Sequence, residues 1–249
     1  MSAIELYARA KPGFDERLAS AVAQLRAAAE RHPGTLLFTT SLGVEDQVLT
    51  DLIVRNGLNI PLATLRTGRL HAETLALIPR IEARYGIKIE QWEPAQEQVI
   101  QFVDRHGAMA MRDSIELRKA CCALRKLEPL SRALAGRSAW VTGLRREQSG
   151  ARAEVSFTSI DENGREKIAP LADWALADVW HYIATHDVPY NELHDRFYPS
   201  IGCEPCTRAV ALGEDFRAGR WWWENESAKE CGLHATNTLP LAQPSRETA

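Results

Sequence analysis

The sequence has few residues of the kinds that mark a special environment. Its 249 residues include only five cysteines and three methionines, and Lys and Arg nearly balance Asp and Glu, leaving a formal net charge of −3. A chain so close to neutral is not a general nucleic-acid binder. No apolar run approaches the ~18 residues of a membrane-spanning helix, and the first residues lack the basic-then-apolar pattern of a signal peptide. We therefore expect a cytoplasmic protein with no membrane or nucleic-acid partner.

The sequence also lacks the Gly-Lys-Ser or Gly-Lys-Thr of a P-loop, which argues against a plain NTPase. What it has is an alternation of short apolar runs and amphipathic segments. Buried strands are predicted at 35–40, 60–65, 87–92 and 139–144, and helices at 15–32, 45–56, 70–85, 96–105, 114–134 and 173–185. A hairpin is predicted over 154–168 and a loop over 189–206. This alternation predicts an α/β fold whose mostly parallel, twisted sheet is flanked by helices.

The first predicted strand runs into Ser41-Leu42-Gly43 and then into a helix. In an open α/β sheet, such a turn directs backbone N–H groups and a helix N-terminus at bound anions. Gly43 permits close backbone approach, and Ser41 can add a hydroxyl donor. One glycine by itself does not distinguish this anion seat from an ordinary tight connection.

Four of the five cysteines form two close pairs, Cys121-Cys122 and Cys203-Glu204-Pro205-Cys206. In the cytosol, clustered cysteines more often bind metal or do chemistry than form disulfides. Four thiols suit zinc or an iron–sulfur cluster. Because adjacent side chains diverge, a single small ion would strain the backbone, whereas the separated irons of a [4Fe–4S] cluster would not. Four buried, inert thiols are the alternative, and the basic residues around both pairs argue against it.

The fifth cysteine, Cys231, lies in the polar run Glu230-Cys231-Gly232-Leu233-His234. A thiol becomes nucleophilic when its neighbours stabilise the thiolate, and Lys229 and His234 are the local candidates. We expect residues 1–212 to form the main domain and residues 213–249 a mobile C-terminal arm that carries this sulfur. An incidental, exposed cysteine is the alternative.

Six segments together resemble the assimilatory sulfonucleotide reductases of the bacterial adenylyl-sulfate (APS) type, within the PAPS reductase family. They are residues 40–46, 67–74, 121–126, 143–149, 202–206 and 229–234. The resemblance implies an adenine nucleotide α-hydrolase-like fold and a [4Fe–4S] cluster on Cys121, Cys122, Cys203 and Cys206. Relatives that reduce only the 3′-phosphorylated substrate usually lack these cysteines, which favours APS as the substrate.

The resemblance also implies a mechanism in sulfate assimilation and cysteine biosynthesis. The Cys231 thiolate attacks the sulfur of APS, AMP leaves, and thioredoxin releases sulfite from the S-sulfocysteine intermediate. Cations are needed where two anions meet. The residues predicted to bind substrate are Ser41, Gly43, Thr67, Gly68, Lys126, Arg152, Arg217, Arg220 and His234. Relatives are often multimeric, so a homo-oligomer is a further expectation.

Several alternatives to this interpretation stay open. Arg66 stands where the family usually has aspartate, which we expect to alter one wall of the nucleotide pocket. The chain could also reduce the 3′-phosphorylated substrate, alone or with APS. An adenylating tRNA sulfur-transfer enzyme is more remote, since Leu42 replaces a glycine of the loop that such enzymes use. A metal-stapled binding module would leave Cys231 without a role.

Overall fold

The structure, a computed structural model, describes residues 2–224 of the chain. Cys231, His234 and the rest of the predicted C-terminal arm beyond residue 224 lie outside the described residues. Within residues 2–224, no helix is both long and apolar enough to cross a membrane.

Within residues 2–224, six strands form one sheet in the order β3-β2-β1-β4-β6-β5. All neighbours are parallel except β5 and β6, which form the antiparallel edge. The strands are β1 (Leu36–Thr40), β2 (Leu62–Leu65), β3 (Ile89–Trp92), β4 (Ala139–Val141), β5 (Thr158–Ile160) and β6 (Glu166–Ile168). The predictions of a mostly parallel sheet and of a hairpin within 154–168 are confirmed.

Eight α-helices surround this sheet in the described part of the chain. They are α1 (Ala3–Tyr7), α2 (Phe14–Arg31), α3 (Val44–Arg55), α4 (Ala72–Tyr85), α5 (Gln96–His106), α6 (Ile115–Cys122), α7 (Glu128–Ala133) and α8 (Leu176–His186). A π-helix, Ala123–Leu127, joins α6 to α7. Short 3₁₀ helices occupy connections at Ala110–Arg112, Arg146–Gln148, Gly150–Arg152, Glu192–Arg196 and Glu204–Cys206.

Consecutive residues of β1 pack on opposite faces of the sheet. Leu36 and Phe38 join the core formed with α2, α3, α4 and α8, whereas Leu37 joins Leu130 and Trp140 on the face covered by α7. A parallel strand covered on both faces must be apolar at successive positions. This requirement explains the continuous apolar run from which the strand was predicted.

Two predicted segments differ from the structure. The helix expected over 114–134 is interrupted by the π-helix directly after Cys122. A π-turn adds a residue to the helical repeat, and the hydrophobic spacing of the segment does not reveal it. The loop expected over 189–206 contains two 3₁₀ helices, whose single turns are too short for a periodic pattern.

The order of the strands creates a crevice between β1 and β4. From β1 the chain adds β2 and then β3 on one side, and it later places β4 and β6 on the other. Ligands bind to open α/β sheets at such a switch point, beyond the carboxyl ends of the strands. The loops after β1 and β4 therefore border the expected site.

Candidate functional site

The loop between β1 and α3 is held by hydrogen bonds of its own. The Ser41 N–H and hydroxyl both donate to Asp46 Oδ2, at 2.5 and 2.7 Å, and the Gly43 N–H donates to Ser41 Oγ at 3.3 Å. Leu42, not glycine, takes the left-handed conformation, with φ of 63°. The loop opens directly onto the N-terminus of α3, as an anion seat requires.

A cleft of about 210 Å³ lies at the switch point, beside this loop. Seven of the residues predicted to bind substrate line it: Ser41, Gly43, Thr67, Lys126, Arg152, Arg217 and Arg220. They come from five separate segments of the chain. The fold therefore gathers these side chains around one cavity, and their individual roles stay predictions.

The cations of the cleft are fixed by neighbouring groups. Arg152 Nη1 donates to Gln148 Oε1 at 2.6 Å. The Arg220 guanidinium lies 4.6 Å from the ring centre of Trp221 and donates to Ser200 Oγ at 3.3 Å. The Arg220 side chain packs so closely over Gly202 that a Cβ at this position would overlap the guanidinium. A cation held in place by its surroundings loses little entropy when it binds an anion.

Gly68 and Arg66 lie away from the cleft lining. Gly68 has φ of +70°, a conformation that favours glycine, and it borders a different groove beside α5. Arg66 lines the same groove and pairs with Glu93 at 3.1 Å. The structure thus gives Gly68 a backbone role and places Arg66 in this neighbouring groove; the effect of Arg66 on nucleotide binding stays a prediction.

Two acidic residues at the start of α3 are buried beside the cleft. Burial alone would raise the pKa of Glu45, but Arg145, at 2.9 Å, and other donors keep it below its ordinary value. Burial raises the pKa of Asp46 to about 7, against the opposing effect of the Ser41 donors. Sequence reasoning gave Asp46 no role, because an acidic residue in the first turn of a helix is ordinary.

A histidine of the cleft was also missed. His194 lines the cavity, is 6% exposed and packs against Trp180 at a centroid distance of 5.2 Å. Neither ring nitrogen makes a hydrogen bond of normal geometry within the described chain. Burial lowers the pKa of His194 to about 4. No sequence signal marks this residue, which lies in a segment expected to be loop.

The two cysteine pairs meet in the folded chain. Cys121 and Cys122 end α6, Cys203 directly precedes the last 3₁₀ helix, and Cys206 ends it. All four are buried and free of disulfides, and they share an apolar cluster with Trp221 and Met111. The backbone that follows β2 holds Cys203 in place, since Leu70 forms a β-bridge with Cys203 and Thr67 Oγ1 lies 3.4 Å from the Cys203 sulfur.

A small cavity of about 20 Å³ separates the pairs and is lined by Arg69, Arg125 and Lys126 as well as the thiols. Burial raises the pKa of the Cys206 thiol to about 11, so a bound metal would have to displace its proton. Within residues 2–224, no three or more Cys, His, Asp or Glu side chains are arranged to hold a metal ion. Soft ligands beside cations suit an anionic, thiolate-ligated cluster.

The cleft and the cysteine cavity share a wall. Lys126, Cys203 and Trp221 line both cavities. The chain then ends its described part against α6, where Arg118 pairs with Glu224 at 2.6 Å with both side chains buried. Arg118 also lies 4.7 Å from the ring centre of Trp221, which Arg220 contacts as well.

The sequence profile of the phosphoadenosine phosphosulfate reductase domain matches residues 35–209. The chain belongs to this reductase family. Its described elements from β1 to the second cysteine pair fall within the matched segment. Membership accounts for the fold around the switch point, and the prediction of the PAPS reductase family is confirmed.

Close relatives in the family carry one name. The chain is 55% identical over 227 residues to the adenosine 5′-phosphosulfate reductase of Burkholderia cepacia, covering 91% of this chain and 89% of the relative. It is also 55% identical to the adenosine 5′-phosphosulfate reductase of Allochromatium vinosum, covering 88% and 86%.

Solved structures extend the likeness. The phosphoadenylyl-sulfate reductase of Candida auris, in a phosphate complex, is 28% identical, with a TM-score of 0.64 over 82% of this chain and 98% of that chain. The FMN adenylyltransferase of Candida glabrata, in complex with FAD and pyrophosphate, is 16% identical with a TM-score of 0.57, over 92% and 82%. The second likeness concerns the fold alone.

Proposed function

We propose that the chain is a thioredoxin-dependent adenylyl-sulfate reductase that converts APS to sulfite and AMP. The observation that carries this proposal is the wall shared by the cleft and the cysteine cavity, with Lys126 facing both. The 55% identity to two proteins named adenosine 5′-phosphosulfate reductase supports APS as the substrate. A role in sulfate assimilation and cysteine biosynthesis, and a cytoplasmic location, are part of the proposal.

The reaction needs positive charge where two anions approach each other. The sulfur of APS is surrounded by anionic oxygens, and the attacking group is a thiolate. Cations fixed before the reaction stabilise the charge that develops on the departing phosphate. Lys126, Arg152, Arg217 and Arg220 line the cavity in which this would occur. AMP is a stable anion, so its departure needs little help from a general acid.

The nucleophile in this proposal is Cys231. Its sulfur bonds to the sulfur of APS, the bond from that sulfur to the phosphate oxygen breaks, and AMP takes the electron pair. A thioredoxin thiolate then attacks the Cys231 sulfur, and sulfite leaves with the electrons of the bond between the two sulfurs. Cys231 follows the buried Glu224 by seven residues, a stretch that spans at most about 25 Å when extended.

The four buried thiols of Cys121, Cys122, Cys203 and Cys206 would hold a [4Fe–4S] cluster in this proposal. Their donor chemistry and the neighbouring basic side chains fit such a group. The cluster would supply a fixed electrostatic field beside Lys126, because the reducing electrons come from thioredoxin. Thioredoxin dependence and a homo-oligomer stay predictions.

The covalent step is tested by mass spectrometry. Incubation with APS in the absence of thioredoxin should add the mass of a sulfonate group to the peptide that carries Cys231. Cys231→Ser should still bind the nucleotide but form no adduct and release no sulfite. An unmodified Cys231 peptide, or normal turnover by the variant, would contradict the assignment of the nucleophile.

The metal is tested separately on anaerobically purified protein. We expect iron and acid-labile sulfide in nearly equal amounts, close to four of each per chain for a [4Fe–4S] cluster. Cys203→Ser should lose most of the iron, whereas Cys231→Ser should keep it and serves as the matched control. Stoichiometric zinc without iron would exclude the cluster but not the thiol chemistry.

A further inference from the structure

We propose that Asp46 positions the Ser41 hydroxyl and that anion binding in the cleft is linked to the uptake of one proton by Asp46. The inference deepens the proposed function and rests on it only for the identity of the nucleotide. Asp46 does not contact the reacting atoms, so it is a positioning residue that acts through Ser41.

The hydrogen bonds of the first loop keep the Ser41 hydroxyl from donating to an anion in the cleft. Both donors of Ser41 end on one oxygen of Asp46, with the backbone nitrogen at 2.5 Å and Oγ at 2.7 Å. A serine hydroxyl has one hydrogen to donate. While that hydrogen is given to Asp46, the hydroxyl presents only lone pairs to an anion in the cleft. Ser41 is exposed at the cavity, and Asp46 is buried behind it.

The other oxygen of Asp46 is confined by the loop after β4. A Cβ on Gly143 would overlap Asp46 Oδ1, so only glycine permits this approach. Asp46 therefore connects the two loops that border the switch point. It cannot rotate away to release Ser41 without displacing one of them.

Protonation releases the Ser41 hydroxyl without any movement of the backbone. A proton taken from solvent onto Asp46 Oδ2 can be donated to Ser41 Oγ, while the Ser41 N–H bond to the same oxygen persists. The Ser41 hydrogen is then free to turn into the cleft and donate to an anionic oxygen. No covalent bond between heavy atoms changes, and a negative charge disappears from the site that receives the anion.

The surroundings favour this proton uptake near neutral pH. Burial raises the pKa of Asp46 to about 7, the Ser41 donors oppose the shift, and Glu45 adds to it. The negative charge of a bound anion would raise this pKa further. The charged and titratable groups around Asp46 are Glu45 on its own helix, Arg145 after β4, His194 from the 3₁₀ helix, and Lys126, Arg152, Arg217 and Arg220 across the cleft.

These other groups do not account for a change between pH 6 and 8. Arg145 pairs with Glu45, and lysine and arginine ordinarily stay charged over this range. Burial lowers the pKa of His194 to about 4, so it stays neutral. His234 lies outside the described residues and is common to all variants compared below.

The test is calorimetric binding of APS to full-length, anaerobically purified Cys231→Ser protein at pH 6 and pH 8. APS keeps its charge over this range. If only protein with protonated Asp46 binds well, the affinity should weaken about tenfold from pH 6 to pH 8, following the protonated fraction. At pH 8, two buffers of different ionisation enthalpy should reveal the uptake of nearly one proton.

Two variants distinguish positioning from a purely structural role. Asp46→Asn should abolish the pH dependence. Ser41→Ala keeps Asp46 and should clearly weaken the pH dependence, because only the repulsion between the Asp46 charge and the anion is left. A flat profile without proton uptake in the parent protein would overturn the inference, as would a slope in Ser41→Ala as steep as in the parent protein. If Asp46→Asn fails to fold, Ser41→Ala still decides the question.

A second probe separates this inference from the proposed function. Sulfate remains dianionic from pH 6 to 8, and it should raise the Tm, relative to chloride at equal ionic strength, more at pH 6 than at pH 8. Ser41→Ala should make that difference clearly smaller. If APS does not bind but sulfate behaves in this way, the proposed function fails and the inference stands. If APS binds with equal affinity at both pH values, the inference fails and the proposed function stands.

Discussion

Lys126 lies on the wall between the cleft and the cysteine cavity, in the π-helix that follows Cys122. If the segment continued as an α-helix, the side chains after Cys122 would point in other directions. The π-turn thus sets where Lys126 points relative to the thiols. π-bulges recur at functional sites, and this one directs a cation towards both cavities.

Replacing Lys126 should therefore slow the reaction more than it weakens folding. We expect Lys126→Ala to lower kcat/KM for APS by about 100-fold, the effect of removing one preorganised charge from a developing anion. Sulfite release at limiting APS measures it. Lys119→Ala is the control, because Lys119 is exposed on α6 just before the cysteines. Equal effects of the two substitutions would remove Lys126 from the active site.

The residues of the cleft differ in how far their sequence revealed them. Lys126, Arg217 and Arg220 were predicted because they stand near cysteines or within a familiar motif, and all three line the cavity. Asp46 and His194 were not, because their importance arises from burial, which brings together segments that are distant along the chain. Only the folded structure shows which of these polar side chains is buried away from solvent.

Among the secondary-structure elements, the strands and long helices were predictable and the short turns were not. The apolar runs of β1 and β4 and the spacing of α3 follow from burial on a repeating face. The π-helix and the 3₁₀ helices around the cysteines arise from tertiary contacts, such as the Arg112 hydrogen bonds to the Pro205 carbonyl. The domain boundary at residue 212 stays a prediction, although Trp221 N–H donates to the Cys206 carbonyl across it.

The ion pair between Arg118 and Glu224 connects α6 to the chain that leads to Cys231. Its side chains are 0% and 3% exposed. Glu224 is a charged partner of the buried Arg118 guanidinium, so we expect its removal in Glu224→Ala to lower the free energy of unfolding by about 3–5 kcal/mol. Urea denaturation of the full chain measures the loss.

Two comparisons test this interpretation of the pair. The double variant Arg118→Met, Glu224→Leu should recover most of the stability, because it removes both charges and keeps the volume. Glu192→Ala breaks an exposed pair with Arg80 and should cost no more than about 1 kcal/mol. A loss in Glu224→Ala that the double variant does not recover would assign the effect to packing.

Across the whole molecule, two buried groups of the cleft affect stability in opposite directions as the pH changes. His194 has a pKa lowered by burial from 6.5 to about 4, so only the unfolded chain gains its proton between these values. Stability is then lost as the pH falls through that range, by about 3 kcal/mol. Asp46 has a pKa raised by burial from 3.8 to about 7, so the folded chain holds its proton longer. The free energy of unfolding therefore falls by about 4 kcal/mol as the pH rises through that range.

The two contributions nearly cancel in the unmodified protein, and single substitutions should separate them. Relative to the parent protein, His194→Gln should gain stability as the pH falls from 6.5 to 4, whereas Asp46→Asn should gain it as the pH rises from 4 to 7. Urea denaturation at pH 4, 5.5 and 7 gives both differences, and any loss of packing adds a constant that does not depend on pH. If both variants gain stability relative to the parent protein in the same direction of pH, the opposite pKa shifts of His194 and Asp46 are contradicted. Folding would then have to raise the pKa of both groups or lower the pKa of both.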